Sequence, residues 1–395
     1  MSDRSPPQAL IVAVLGFGQM AAFASSFYLL GVLGDPIAAD LELPPSLVFS
    51  LMSLALAVTF FATPWAGRRT DVWGGKRMLL ASNLVFAASL GLIAASQNAV
   101  LLASGMAVMG LAMSFGLYNT PFAMLVSLYG QAARRPITGV ALIGGLGSAV
   151  GWPATAWLLE VLGWRGACLT WAAVQVLVCL PLVALLTPHV EGEGEASEDP
   201  AAPHEPVVWD RPMIQMGVLF AGAWFLATSM STHLPRLLEA TGLTPAAAAS
   251  TAGLVGVAAV TMRFLEFTAL RKLPPLATTR VAPLWHAGGA AALLALGKAA
   301  APLMAIGQGL GNGMLSVAKG VLPLHLYGPK NYGYRSALLT RPAQLAQIGG
   351  PALYGLALER SVALALCASI AICLVMFAMT FGLMRTEPRS LEIPA

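Results

Sequence analysis

Apolar runs of about 20 residues follow one another along almost the whole chain, parted by short polar breaks, and nothing else limits the fold as strongly. About 20 helical residues match the ~30 Å hydrocarbon core of a bilayer. The runs fall at about 9–33, 46–66, 78–96, 100–128, 137–160, 163–187, 212–235, 245–270, 281–299, 302–326, 333–358 and 361–384, which predicts twelve membrane-spanning helices. Of 395 residues, 57% are hydrophobic and only 10% charged, where a soluble domain carries about 25% charged. A water-soluble enzyme is excluded on that ground. The first run is too long for a signal-peptide core and reads as a retained span. The expected fold class is therefore an all-α membrane protein.

The basic residues set the orientation. With both termini on the cytoplasmic side, fifteen Lys and Arg fall in cytoplasmic segments, among them Arg68, Arg69, Lys76, Arg77, Arg134, Arg135 and Arg335. The opposite side holds only Arg165, Arg236, Lys298 and Arg360. That asymmetry follows the positive-inside rule. It implies a multi-pass protein of the plasma membrane, or of the inner membrane in a Gram-negative cell.

One long polar segment, 188–211, is rich in Glu, Pro and Ala and reads as an acidic cytoplasmic linker. It divides the chain into an N-terminal six-helix bundle, 1–187, and a C-terminal six-helix bundle, 212–395. An internal repeat supports the division. Leu128-Tyr129-Gly130 recurs as Leu326-Tyr327-Gly328, and Pro153 recurs as Pro351 at the same offset. Cys168, Cys179, Cys367 and Cys373 all fall in apolar runs without metal-ligand spacing, so neither a metal nor a disulfide framework is expected. No nucleotide-binding loop is present, and no cofactor or nucleic-acid partner is implied.

Charges inside the runs carry the functional signal. Arg263, Lys319 and Arg341 lie within spans, where an unpaired charge costs about 2.5–3.5 kcal/mol at the bilayer centre. Ala252, Gly256 and Ala259 precede Arg263 at helical spacing, a small-residue stripe suited to a face turned to protein or a cavity. Gln308, Asn312, Ser316 and Lys319 form a polar stripe on span ten, and Arg341, Gln344 and Gln347 another on span eleven. Glu266 is the single acid nearby; it can hold Arg263 when the site is empty and is the candidate for proton coupling. A surplus of positive charge remains, and an anion between the halves would neutralise it. Snorkelling of the three cations toward the headgroups is the competing reading. The first half offers only uncharged candidates: Gln19, Ser26, Ser114, Tyr118 and Asn119.

The loop after the second run reads Gly67-Arg68-Arg69-Thr70-Asp71-Val72-Trp73-Gly74-Gly75-Lys76-Arg77. Gly-x-x-x-Asp-x-x-Gly followed by basic residues resembles the signature loop of the major facilitator superfamily. The resemblance implies a fold of two six-helix bundles working by alternating access. It also implies that Asp71 holds the cytoplasmic ends of spans two and eleven together in the outward-facing state, with Arg335 as its partner. Arg263, and Arg341 in Leu339-Thr340-Arg341 after Tyr332-Gly333-Tyr334, resemble the charged positions of the oxalate:formate antiporter and monocarboxylate-porter branch. By that resemblance these two bind the substrate carboxylate from opposite sides. Two features depart from the proton-coupled monocarboxylate porters: Ala259 stands where they carry an acid, and span one holds no lysine. The expectation is a secondary transporter of a small organic anion, acting as a monomer. Efflux of amphipathic drugs by proton antiport is the alternative, and a non-transporting membrane sensor is a weaker one.

Overall fold

The computed structural model describes residues 6–188 and 207–383. Most of the expected linker and both termini lie outside them. The described residues form helices and turns, with no strand among them. The helices are α1 Gln8–Ala24, α2 Leu30–Asp40, α3 Pro45–Trp73, α4 Gly75–Ala94, α5 Ala99–Gly116, α6 Asn119–Tyr129, α7 Arg134–Gly144 and α8 Gly147–Val174, which is broken at Gly163 (φ 68°) between expected spans five and six. They continue as α9 Leu180–Leu186, α10 Arg211–Ala240, α11 Pro245–Phe267, α12 Pro275–Leu296, α13 Ala301–Tyr327, α14 Tyr332–Arg360 and α15 Val362–Met379.

Seven described stretches are long and apolar enough to cross a membrane: 45–73, 75–94, 99–186, 211–240, 250–267, 275–327 and 362–379. The twelve expected spans map onto them unevenly. The stretch 99–186 runs through expected spans four to six, and 275–327 through nine and ten. The helix over span one is short, because the chain breaks between Ala24 and Leu30. α14 over span eleven is long but carries Arg335, Arg341, Gln344 and Gln347, which lower its hydropathy. Large apolar side chains stand on the outer surface, Phe61 at 74% and Leu185 at 79% exposure. Lipid, not water, is the solvent such a surface fits.

The repeated tripeptide has a local cause. Gly130 ends α6 at φ 54° and Gly328 ends α13 at φ 78°. Both are left-handed helix stops, a conformation that L side chains rarely adopt. The core is arranged by halves. One apolar cluster is built from residues 21–179 alone, and two others from residues 213–383 and 230–366. A further cluster joins the halves at one end only, packing Phe122, Met124 and Ile137 against Val317, Val321 and Tyr332.

Candidate functional site

Two helix breaks shape the centre of the molecule. After Ala24 the hydroxyl of Ser26 donates to the Ala22 carbonyl at 2.5 Å, and that of Ser25 to the same carbonyl at 3.4 Å. Such side-chain bonds compete with the helix ladder and loosen it. Ser26 spends its one donor locally and does not line the cavity described below. The second break lies between α5 and α6, where Leu117 is extended. Pro121 supplies no N–H to the carbonyl of residue 117 and its ring crowds that position. The side chain of Gln19 (2% exposed) donates to the Gly116 carbonyl at 2.7 Å, tying α1 to this break. Gln19 thus positions Tyr118 and Asn119 from behind; it does not line the cavity.

A cavity of about 140 Å³ lies between the halves, next to both breaks. Its lining includes the rings of Phe23, Phe27, Tyr28, Tyr118 and Trp224, and the polar side chains of Thr63, Ser114, Asn119, Thr340, Gln344 and Gln347. Lys319 is its one charged lining residue. The ammonium of Lys319 sits 5.5 Å from the Trp224 ring centroid, and no ion pair joins it to an acid among the described residues. Bonds between the halves close one side of the cavity. Gln344 Nε2 donates to Thr63 Oγ1 at 3.3 Å, and Thr340 Oγ1 to Asn119 Oδ1 at 3.4 Å. Gln344 Oε1 is buried without a partner.

The structure separates the three cations that the sequence groups together. Arg263 lies outside the lining: its Nε donates to Ser316 Oγ at 2.9 Å, and its guanidinium packs onto Gly145 of the other half. It is not paired with Glu266, contrary to expectation; no ion pair joins them among the described residues. Glu266 is buried at 5% exposure near Thr278 and Arg134, with Oε2 unpartnered. Arg341 stacks its guanidinium 4.3 Å from the Phe60 ring, on the side of α14 facing α3, and leaves Nε without a partner. Only Lys319 enters the cavity.

The span-ten stripe divides in the same way. Gln308 turns into the second half, where its Oε1 meets His286 Nδ1 at 2.7 Å, and Asn312 is not part of the lining. Ser316 goes to Arg263. Gln308 and Lys319 are eleven residues apart, about 16 Å along a helix, so they face different neighbours. On α11, Ala259 packs against Gly309 and Gly313 of α13, whereas a Cβ at Gly256 would meet nothing within 4 Å. Of the expected ligands, Lys319, Gln344, Gln347, Ser114, Tyr118 and Asn119 are brought together. The ring residues Phe23, Phe27, Tyr28 and Trp224 escaped the sequence reading. The spacing of Phe23, Phe27 and Tyr28 around Ser25-Ser26 was the available signal.

At the end where the halves fuse, α3 lies against α14. Asp71 accepts from the backbone N–H of Gly333 at 2.9 Å and of Tyr334 at 2.7 Å. An N-half carboxylate therefore caps the positive end of a C-half helix. Arg335 stacks 3.8 Å from the Tyr327 ring. Arg68 supplies a second link, donating from Nη2 to Tyr334 Oη at 2.8 Å. Gly67 permits the contact, since a Cβ there would lie 2.7 Å from the Gly333 carbonyl oxygen. Gly74 makes the turn into α4 at φ 81°. Lys76 works within one half, its Nζ donating to the Ala184 and Thr187 carbonyls at 2.8 and 2.6 Å. Arg77 follows it in the first turn of α4.

Two helical halves around a central cavity, latched at one end by a Gly-Asp loop, define a membrane transporter fold. The chain belongs to the Major Facilitator Superfamily, whose description matches residues 15–307. Solved structures share the fold. The human organic anion transporter MFSD10 (TETRAN) superposes with a TM-score of 0.72 at 16% identity, covering 95% of this chain and 100% of that one. The proton:xylose symporter XylE, bound to 6-bromo-6-deoxy-D-glucose, gives 0.68 at 12% identity, covering 94% and 95%. At these identities the likeness establishes the fold alone. A comparison with curated protein sequences found no match.

Proposed function

We propose that this protein is a secondary transporter of a small organic anion, working by alternating access between two six-helix halves. The carrying observation is Lys319, the one charge lining a cavity that otherwise holds rings, hydroxyls and amides. In the resting arrangement its ammonium leans on Trp224, an interaction of about 0.5–2 kcal/mol. A carboxylate offers a charge-assisted hydrogen bond of about 1.5–3 kcal/mol, so exchange of one partner for the other is favourable. Kinship with the oxalate:formate and monocarboxylate branch is part of this reading. Its anion contact moves from the Arg263–Arg341 pair to Lys319, with Arg263 placed behind the cavity as a source of positive field. The latched end, rich in Arg and Lys, is the cytoplasmic one, which makes the described state outward-facing. The twelve crossings, the plasma- or inner-membrane location and the monomeric working unit belong to the same proposal.

MFSD10 and XylE carry chemically different cargoes on this fold, so the cavity must decide the class. The test is counterflow in proteoliposomes with labelled acetate, benzoate, tetraethylammonium and xylose. Exchange of a carboxylate with none of the cation or the sugar is the expected result. Exchange of the cation alone would replace this reading with the efflux of amphipathic cations.

Glu266 is the proposed coupling group. It is buried at the contact of the halves, where α11 meets α7, with Arg134, Arg263 and Thr278 around it. A buried acid with a free oxygen is poised to hold a proton in one state and lose it in the other. Glu266→Gln is expected to keep counterflow and to lose uptake driven by a pH gradient. Undiminished gradient-driven uptake in that variant removes Glu266 from the coupling step.

A further inference from the structure

We infer that the anion carried is an aromatic monocarboxylate, its ring held by the aromatic side chains around the cavity and its carboxylate by Lys319. The inference rests on the anion reading above and narrows it. Five of the sixteen lining residues are aromatic, against 8% of the whole chain. Phe23, Phe27, Tyr28 and Tyr118 come from the first half and Trp224 from the second, so rings border the cavity from both sides. Their mutual contacts are tilted or edge-on. Phe23 and Tyr118 lie 5.0 Å apart at 50°, and Phe27 and Tyr28 lie 5.6 Å apart at 84°. These are the arrangements that ring quadrupoles favour, and a further ring extends them without loss.

Size and charge agree with that choice. The cavity measures about 140 Å³, close to the roughly 150 Å³ that holds benzene, so a single ring is the largest apolar group it takes. A carboxylate oxygen bonded to Lys319 stands about 2.8 Å from Nζ. Nζ itself is 5.5 Å from the Trp224 centroid. The carboxylate oxygen then lies within about 8 Å of the indole centroid, so a ring attached to it can reach the indole. A second carboxylate would find no second cation in the lining, which disfavours dicarboxylates.

The experiment follows the melting temperature of the purified full-length protein in titrations with benzoate, cyclohexanecarboxylate and benzylamine. Ligand binding raises it by mass action, so affinities follow from the titrations. Benzoate is expected to bind about three- to tenfold more tightly than its saturated analogue, the range that ring–ring contacts supply. Trp224→Leu is expected to bring that ratio to within about twofold. Should that variant not fold, Phe23→Leu carries the same comparison. Equal affinity for the two acids in the wild type overturns the aromatic inference and leaves the anion reading standing. A ratio that survives both substitutions also overturns it, by taking ring recognition away from this cage. Stabilisation by benzylamine with no response to either acid overturns both readings, and so does the absence of any response to the acids.

Discussion

Lys319→Gln is expected to weaken carboxylate binding about ten- to a hundredfold and to lower counterflow sharply at substrate concentrations near the wild-type Kd. Losing a charge-assisted hydrogen bond costs about 1.5–3 kcal/mol, and each 1.4 kcal/mol is tenfold in affinity. The same substitution is expected to leave the melting temperature unchanged or slightly raised. Lys319 has no acidic partner among the described residues and contributes only a contact with Trp224, so its removal relieves a desolvated charge. The combination is diagnostic. A structural lysine would lose stability on neutralisation, whereas a ligand-reading lysine loses function alone. Lys319→Arg keeps the sign of the charge and is expected to retain part of the activity. Normal counterflow by the glutamine variant, measured in proteoliposomes, would remove Lys319 from the site.

Gly67→Leu is expected to open the latched end. A Cβ at Gly67 would lie 2.5 Å from the Ala337 Cβ and 2.7 Å from the Gly333 carbonyl oxygen, and leucine extends further. Overpacking of this kind costs about 1–3 kcal/mol. A protein with a second conformation avoids the cost by leaving the first one. The population of the state with α3 and α14 apart should then rise about five- to a hundredfold relative to the wild type. Ala337 is fully buried in the latched state. Labelling of Ala337→Cys by a membrane-impermeant thiol reagent, in a background with Cys367→Ser, reads the change. Cys367 is the exposed cysteine among the four, and the others are buried. Unaltered labelling together with unaltered transport would show that the contact is not a gate. Asp71→Asn is expected to act in the same direction and less strongly, because it removes the charge but not the close approach.

Much of the architecture was legible because the bilayer imposes a coarse rule on sequence. Long apolar runs, basic breaks and the recurring Leu-Tyr-Gly each have a local cause, such as the left-handed glycines that end α6 and α13. The site was legible only in part. Helical periodicity places Ser316 and Lys319 on one face of α13, but it does not say which neighbour stands opposite each. Ser316 meets Arg263 and Lys319 meets the cavity. The breaks at residues 25–29 and at Leu117 interrupt the helices that the apolar runs predict for spans one and four. The ring cage depends on those breaks and was therefore invisible to a helix-face count. Asp71 also accepts from two backbone N–H groups of α14, a kind of partner that no side-chain pattern reveals.

That choice of partner has a consequence for mutational robustness. The Asp71 latch is asymmetric in its genetic exposure: one side is a single side chain, the other is main chain that every residue type but one supplies. Replacing Tyr334 by alanine leaves its N–H in place, so an alanine scan along α14 will pass over this contact without registering the two main-chain bonds. Only proline at 333 or 334 deletes a donor, and proline is tolerated in the first turn of a helix. Tyr334→Pro therefore removes that main-chain donor together with the hydroxyl that meets Arg68, while leaving the helix that carries them intact.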